Sequence, residues 1–426
     1  MRAPTLSLIP TLATLTAAAL VPACSWSRFD DLTKDGPVVY LDRPDAVSSL
    51  FGASAAGDGG VLMVGGQPGI TGAAIFRVDE QPSSAALTTV CGDQGRCRLV
   101  AQPAAAGDVA GGQHCFLYGV GLGDASLGDA YGVLGACADG PAYKLPVPAA
   151  IASKVIKPLF DPLAPSGFSG ILSVTSSGGR VVAASPDVGL AWTYANGMPV
   201  ESPRPAGADG SYGTTVASTG ALVAISSPAS GKVFVFDAAD TGLTLRGCVS
   251  GPAPWGVVMR ATTDGARALL AVSDALATVD VLDLAAIKGD GTSCAAPGAE
   301  LVTTLRCAES EDGKGCDGAA FGYSLAFGDL DGDGDAELLV GAPGLNMRKK
   351  PNGGAVFVFD LEGDPVPKDT LFLSSAEAED RLGTSVAAVR VGARDVVATG
   401  VPGQKRSAAL FFCSALGGAS VGARCQ

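Results

Sequence analysis

The chain has 426 residues, more than one compact sandwich needs and enough for one large repeat domain or two ordinary domains. It contains 59 glycines and 27 prolines yet is 47 % hydrophobic, a combination that indicates many turns between apolar strands and argues against a helical or a disordered protein. With 42 acidic and 29 basic residues the net charge is −13, which argues against nucleic-acid binding, and a single histidine, His114, leaves little room for histidine-based catalysis or histidine-rich metal sites.

Residues 1–23 have the pattern of a lipoprotein signal peptide. Arg2 precedes an apolar stretch, Leu6 to Val21, that is too short and too often interrupted by proline to span a membrane well. The stretch leads into Leu20-Val21-Pro22-Ala23-Cys24, which resembles the lipobox of bacterial lipoproteins, whose cysteine receives diacylglycerol. The resemblance implies lipidation of Cys24 and an outer-membrane lipoprotein of the bacterial cell envelope, on the periplasmic side or the cell surface. The alternative is an ordinary secretory leader.

Residues 24–48 predict the lipidated cysteine, a tether and a possible ring-closing strand at Pro37–Leu41. From residue 49 to residue 426 one pattern recurs, in which an aromatic residue and a glycine open an apolar run and two further apolar runs follow after turns. Each copy has the size of a propeller blade, so the pattern predicts an all-β fold, a seven-bladed β-propeller with six blades as the alternative. A two-sheet sandwich or a pair of β domains fits this regular repetition less well. The copies start near residues 51, 114, 167, 212, 255, 321 and 382.

The sixth copy carries the most specific motif. Phe321-Gly322 and Gly341-Ala342-Pro343 flank an Asp-rich loop, and this arrangement resembles the FG-GAP repeat, the blade unit of the integrin alpha-subunit head. The resemblance implies a seven-bladed propeller that binds calcium and takes part in adhesion or protein–protein contact. Outside this copy the prediction depends on periodicity.

The Asp-rich loop is the candidate metal site. Acidic side chains at alternate positions of a tight loop can converge on one hard cation, while Gly334 permits the sharp reversal and Asp335 offers its backbone carbonyl. Ca²⁺ accepts roughly six to eight oxygens in loose geometry, which suits such a loop better than the strict octahedron of Mg²⁺. We predict one structural Ca²⁺ site, and the alternative is a solvated acidic turn. The predicted ligands are Asp329, Asp331, Asp333, Asp335 and Glu337.

The cysteines predict local disulfides. If Cys24 carries lipid, the other ten form an even set that an oxidising compartment would pair. Metal binding by thiolates is the weaker alternative, because the spacings contain no paired Cys-x-x-Cys motifs. The candidate pairs are Cys91–Cys97, Cys115–Cys137, Cys248–Cys294, Cys307–Cys316 and Cys413–Cys425.

The sequence contains no recognisable catalytic constellation. Ser230-Gly231-Lys232, for example, is not followed by the Ser or Thr of a phosphate loop. We therefore predict a non-enzymatic, monomeric, lipid-anchored binding protein whose partner is an unknown protein or glycan. The alternative is a glycan-binding protein or carbohydrate-active enzyme that uses loop carboxylates on the propeller face. Binding residues are expected in the long connections 238–254, 284–320 and 361–380.

Overall fold

The computed structural model describes most of the chain from residue 173 onward and separate strands before it. The predicted leader, Cys24 and the tether up to residue 37 lie outside the described residues. The described part contains strands, turns and one short 3₁₀ turn, Pro228–Ser230, and no helix of membrane-spanning length. The described residues are 38–42, 52–65, 73–78, 88–90, 97–99, 104–105, 115–124, 128–137, 143–145, 173–177, 180–186, 188–195, 198–202, 204–307, 316, 318–347, 349–362, 367–373, 376–402, 406–411, 413–414 and 424–425.

The strands in the first half of the chain form antiparallel sheets of four or five strands. After the N-terminal strand β1 (Val38–Asp42), four sheets follow in chain order. Sheet 1 contains β2 (Ser54–Asp58), β3 (Val61–Gly65), β4 (Ala73–Arg77) and β5 (Thr88–Val90); sheet 2 contains β6 (Cys97–Leu99), β7 (Ala104–Ala105), β8 (Cys115–Asp124), β9 (Gly128–Cys137) and β10 (Tyr143–Leu145); sheet 3 contains β11 (Ser173–Ser177), β12 (Arg180–Ser185), β13 (Leu190–Ala195) and β14 (Met198–Ser202); sheet 4 contains β15 (Val216–Ser218), β16 (Leu222–Ser227), β17 (Lys232–Ala239) and β18 (Gly242–Ser250).

The second half of the chain repeats the same arrangement. Three further sheets of four strands are followed by a two-stranded pair at the C-terminus. Sheet 5 contains β19 (Val258–Asp264), β20 (Arg267–Ser273), β21 (Thr278–Asp283) and β22 (Leu301–Arg306); sheet 6 contains β23 (Ser324–Gly328), β24 (Glu337–Ala342), β25 (Ala355–Phe359) and β26 (Asp369–Leu371); sheet 7 contains β27 (Val386–Val391), β28 (Arg394–Gly400), β29 (Arg406–Phe411) and the N-terminal β1; the terminal pair is β30 (Cys413–Ser414) and β31 (Arg424–Cys425).

One strand of each sheet contacts a strand of the next sheet, and these contacts form a closed ring. The sheets 1 and 7 meet through β2 and β27, and the contacts continue through β23, β19, β15, β11 and β7 back to β2. Among the residues whose burial is described, sheets 4 to 7 bury apolar side chains against both of their neighbours, which is how propeller blades are stabilised. The predicted all-β propeller is confirmed. The blade count stays a prediction, which the seven sheets support, because residues 146–172 among others lie outside the described part.

The N-terminal strand completes the last sheet. β1 pairs antiparallel with β29, with Val38 opposite Phe411 and Leu41 opposite Ala408. The strand expected at Pro37–Leu41 thus lies at Val38–Asp42 and joins the two ends of the ring through backbone hydrogen bonds.

The aromatic-glycine motif is the point where consecutive sheets approach each other. Gly322 has a φ of 83°, which glycine adopts without strain, and its N–H donates to the carbonyl of Gly341 at 3.0 Å. A Cβ at this position would contact Ser273 of sheet 5, so the motif permits a close approach that no other residue allows. The residue before the glycine is fully buried in four of the copies: Tyr212, Trp255, Phe321 and Leu382.

The core lies between the sheets and is formed mainly by their second and third strands. β24 and β25 are buried along their whole lengths, which explains why their sequences read as continuous apolar runs. Phe321 packs edge-on against Phe357 and Phe359, with ring centroids 5.5 Å and 6.0 Å apart. These rings bury a large apolar area between sheets 5 and 6.

The three long connections in which binding residues are expected also contain strands. The outermost strands β18, β22 and β26 lie within residues 238–254, 284–320 and 361–380. Residues 285–295 also run along the free edge of β18, where Ser250 N–H donates to Ala295 O at 2.8 Å. Whether these segments bind a partner stays a prediction.

Candidate metal centre

The Asp-rich loop joins β23 to β24 and lies against the next sheet. Asp329 donates its N–H to Asp395 Oδ2 at 2.9 Å and accepts a hydrogen bond from Asp395 N–H at 2.8 Å. Asp395, the second residue of β28, lies opposite Arg390 of β27, and the two side chains form an ion pair at 2.8 Å. The loop is therefore fixed at its first residue by sheet 7.

Three carboxylates of the loop converge. One carboxylate oxygen each from Asp329, Asp331 and Asp333 lies within 4.8 Å of the others. Backbone N–H groups hold the side chains in place, since Gly332 donates to Asp329 Oδ1 at 2.7 Å and Asp335 donates to Asp333 Oδ1 at 3.0 Å. The structure thus brings together three of the five predicted ligands.

The other two predicted ligands lie differently. Asp335 is exposed, and its side chain is not part of the converging group. Glu337 is buried at the start of β24, and its Oε2 accepts the N–H of Leu330 at 2.8 Å. Burial raises the pKa of Glu337 to about 7, and the charge of Asp331 adds to the effect.

Two basic side chains reach the loop from other parts of the chain. Lys368 Nζ lies 2.9 Å from Asp331 Oδ2 and 3.4 Å from Glu337 Oε1. Arg390 Nη1 lies 3.4 Å from Asp329 Oδ2. Neither Lys368 nor Arg390 can be recognised from the sequence, because both are distant from the loop along the chain. Only the register of the sheets places their side chains beside the loop carboxylates.

The local charges move the pKa values of the loop carboxylates in opposite directions. Burial acts to raise the pKa of Asp331, but the hydrogen bond from Lys368 and its charge outweigh burial and lower it. At Asp333 the N–H of Asp335 acts to lower the pKa, whereas burial and the negative charges of Asp331 and Asp335 together raise it. Asp331, which lies beside the ammonium group, therefore ionises more readily than Asp333.

The donor set suits a hard divalent cation. It consists of carboxylate oxygens at the mutual distances that one bound ion spans, and it contains neither imidazole nor thiolate. The loop turns through Gly332 and Gly334, whose φ values of 81° and 97° favour glycine. In the described part of the chain this is the one group of three or more such side chains.

In sheets 5 and 7 the hairpin between the first two strands contains an Arg–Asp ion pair, whereas the same hairpin of sheet 6 contains the Asp-rich loop. In sheet 5 Arg267 Nη2 lies 2.7 Å from Asp264 Oδ2, and the side chain of Asp264 is almost fully buried. In sheet 7 the hairpin between β27 and β28 contains the Arg390–Asp395 pair. In these two hairpins an arginine of the chain neutralises the negative charge of the aspartate.

Two of the predicted disulfides are present among the described residues. Cys248 bonds to Cys294 and Cys307 bonds to Cys316, with Cα atoms 5.1 Å and 6.0 Å apart. For two other pairs only the backbone is described, and it places Cys115 opposite Cys137 and Cys413 opposite Cys425 in antiparallel pairs. Cys91, the predicted partner of Cys97, lies outside the described residues.

The segment that carries the metal loop matches a known repeat. A family model described as "FG-GAP repeat" matches residues 321–359. Residues 321–359 form an FG-GAP repeat. This repeat includes Phe321-Gly322, the Asp-rich loop and strands β23 to β25, so the predicted resemblance is confirmed at the residues that suggested it.

Integrin alpha subunits resemble the chain in sequence. Integrin alpha-3 of Cricetulus griseus is 35 % identical over 106 residues, which are 24 % of this chain and 10 % of that protein. Integrin alpha-7 of Rattus norvegicus is 51 % identical over 45 residues, or 11 % of this chain and 4 % of that protein. The chain is thus similar to integrin alpha subunits over part of its own length, and it spans only a tenth or less of the length of these relatives.

A solved structure supports the fold over most of the chain. A catalytically inactive virginiamycin B lyase from Staphylococcus aureus, crystallised with quinupristin, aligns with a TM-score of 0.53 and covers 88 % of this chain and 99 % of its own. The sequence identity is 7 %, so the similarity concerns the fold alone.

Proposed function

We propose that the protein is a non-enzymatic β-propeller that mediates protein–protein contact or adhesion and that carries one structural Ca²⁺ site in its FG-GAP repeat. The observation that carries the proposal is the convergence of Asp329, Asp331 and Asp333 within the FG-GAP repeat of a chain that is similar to integrin alpha subunits. The resemblance to integrin alpha subunits implies adhesion or protein–protein contact, which favours a binding function over a catalytic one.

The calcium would stabilise the contact between sheets 6 and 7. Asp329, Asp331 and Asp333 would supply the carboxylate ligands, and the backbone carbonyl of Asp335 would add an oxygen. Because Asp329 is also hydrogen-bonded to Asp395 of sheet 7, a cation held by the loop fixes the position of one blade against the next.

The experiment is thermal unfolding of the purified full chain in calcium and in chelator. At a hundredfold excess of Ca²⁺ over its Kd we expect the Tm to rise by about 3–5 °C. Asp331→Asn should abolish that rise. The matched control is Asp240→Asn, which removes an exposed acidic group on sheet 4 and should respond to calcium like the wild type. Equal melting curves of the wild type in calcium and in chelator would contradict the metal site.

We also propose that Cys24 carries the lipid of an outer-membrane lipoprotein in the bacterial cell envelope. The support is the lipobox-like sequence before Cys24. Cells that express the full chain should incorporate a labelled fatty acid into it and retain it in the membrane fraction. Cys24→Ser should lose both properties, and labelling of that variant to the wild-type level would contradict the anchor.

A further inference from the structure

Lys368 stands at the Asp-rich loop in the position of a counter-ion. Its Nζ lies 2.9 Å from Asp331 Oδ2, 3.4 Å from Glu337 Oε1 and 3.7 Å from Asp360 Oδ2. Three carboxylates therefore surround one ammonium group: one lies in the Asp-rich loop, one at the start of β24 and one directly after β25. The side chain of Lys368 is 21 % exposed, so water only partly weakens these interactions.

We infer that Lys368 is an internal cation that balances the Asp-rich loop in the absence of calcium, and that calcium binding displaces its ammonium group from Asp331. This inference rests on the calcium site proposed above. Lys368 would lower the calcium affinity of that site and would stabilise the loop when no metal is bound.

The backbone holds Lys368 where it can act in this way. Its N–H donates to the carbonyl of Val358 at 2.7 Å, so the residue is attached to β25 just before β26 begins. Burial acts to lower the pKa of Lys368, but the hydrogen bond to Asp331 and the charges of Glu337, Asp331 and Asp360 outweigh burial and raise it. The ammonium group is therefore charged at neutral pH.

Calcium and the ammonium group compete for the same oxygens. A Ca²⁺ ion held by Asp329, Asp331 and Asp333 needs the carboxylate of Asp331, on which Lys368 donates a hydrogen bond. Two positive groups on one carboxylate repel each other, so part of the calcium binding energy is spent on moving the lysine. Arg390 is a lesser competitor, because its guanidinium is also bonded to Asp395 and to the carbonyl of Ala393.

The experiment is a calorimetric titration of the purified full chain with CaCl₂. Lys368→Met keeps the length of the side chain but removes the charge, and we expect it to bind calcium about tenfold more tightly than the wild type. Lys368→Arg should bind like the wild type. The matched control is Lys288→Met, which removes an exposed positive charge from the connection before β22. It should also leave the Kd unchanged.

The outcomes separate this inference from the calcium site itself. If the wild type binds calcium and Lys368→Met binds it with the same affinity, the inference is wrong and the calcium site stands. If neither protein binds calcium, the proposed metal site is wrong and the inference falls with it. If only Lys368→Met binds, calcium does not displace the ammonium group in the wild type, so both the displacement and the proposed calcium site are wrong.

A measurement on the wild type keeps the inference testable if Lys368→Met does not fold. Chain labelled with ¹³C-lysine gives one Cε signal for each lysine, and the Lys368 signal is identified by its loss in Lys368→Arg. Saturating calcium should shift this signal while the Lys288 signal stays in place. An unmoved Lys368 signal in protein that has bound calcium would overturn the displacement.

Discussion

Replacing both cysteines of the Cys248–Cys294 disulfide by alanine would measure how strongly two consecutive sheets are connected. The bond joins β18 of sheet 4 to the connection before β22 of sheet 5, across a sequence separation of 46 residues. Loop-closure entropy gives about 4 kcal/mol for such a loop and about 2.6 kcal/mol for Cys307–Cys316, whose separation is 9. We therefore expect Cys248→Ala/Cys294→Ala to lose about 1.4 kcal/mol more free energy of unfolding than Cys307→Ala/Cys316→Ala.

Urea unfolding followed by tryptophan fluorescence gives this difference, and amide hydrogen exchange locates it. Ser250 N–H donates to Ala295 O and Gly289 N–H donates to Arg246 O, so both amides report on the segment that runs along β18. They should exchange faster in Cys248→Ala/Cys294→Ala and at the wild-type rate in Cys307→Ala/Cys316→Ala. A greater loss of stability from the short loop, or unchanged exchange at both amides, would refute the reasoning.

Two further substitutions test the contacts between sheets. Gly322→Ala places a Cβ against Ser273 at a φ of 83°, so it should cost about 2 kcal/mol or more, whereas Gly210→Ala, with open space at its Cβ, should be nearly neutral in the same urea titration. Trp255→Phe removes the N–H that donates to Asp280 Oδ2 at 2.9 Å and should cost about 1.5–3 kcal/mol of unfolding free energy. The free energy of unfolding of Trp255→Phe is measured by the same urea titration. A value within about 0.5 kcal/mol of the wild type, as for a neutral surface substitution, would show that this hydrogen bond adds no stability.

The fold is predictable where burial is uniform and less so where it is not. β24 and β25 are buried on both faces, so their apolar runs identify them without a structure. β18 is an outer strand with exposed and partly buried positions, and its sequence mixes Thr and Arg with apolar residues. Because such a strand lacks a clear periodic pattern, residues 238–254 resemble a connection in the sequence.

At the metal site, too, contacts within one loop can be predicted from the sequence, whereas contacts between distant segments cannot. The spacing of Asp329, Asp331 and Asp333 lies within one loop, so the sequence alone predicts that these carboxylates converge. Glu337 is assigned to the same set by spacing, but the pleat of β24 buries it against Leu330 N–H. Lys368 follows Glu337 by 31 positions, and only the pairing of β25 with its neighbours brings the two side chains together.

The closure of the ring by β1 also defines a mechanical path through the molecule. Tension applied to the residues before Val38 is carried first by the backbone pairs between β1 and β29, which share the load when the pull is along the strand. From β29 it passes to β28, whose Asp395 is bonded to Asp329 at the start of the Asp-rich loop. The strand that seals the propeller therefore couples force at the N-terminal end to the loop proposed to hold calcium.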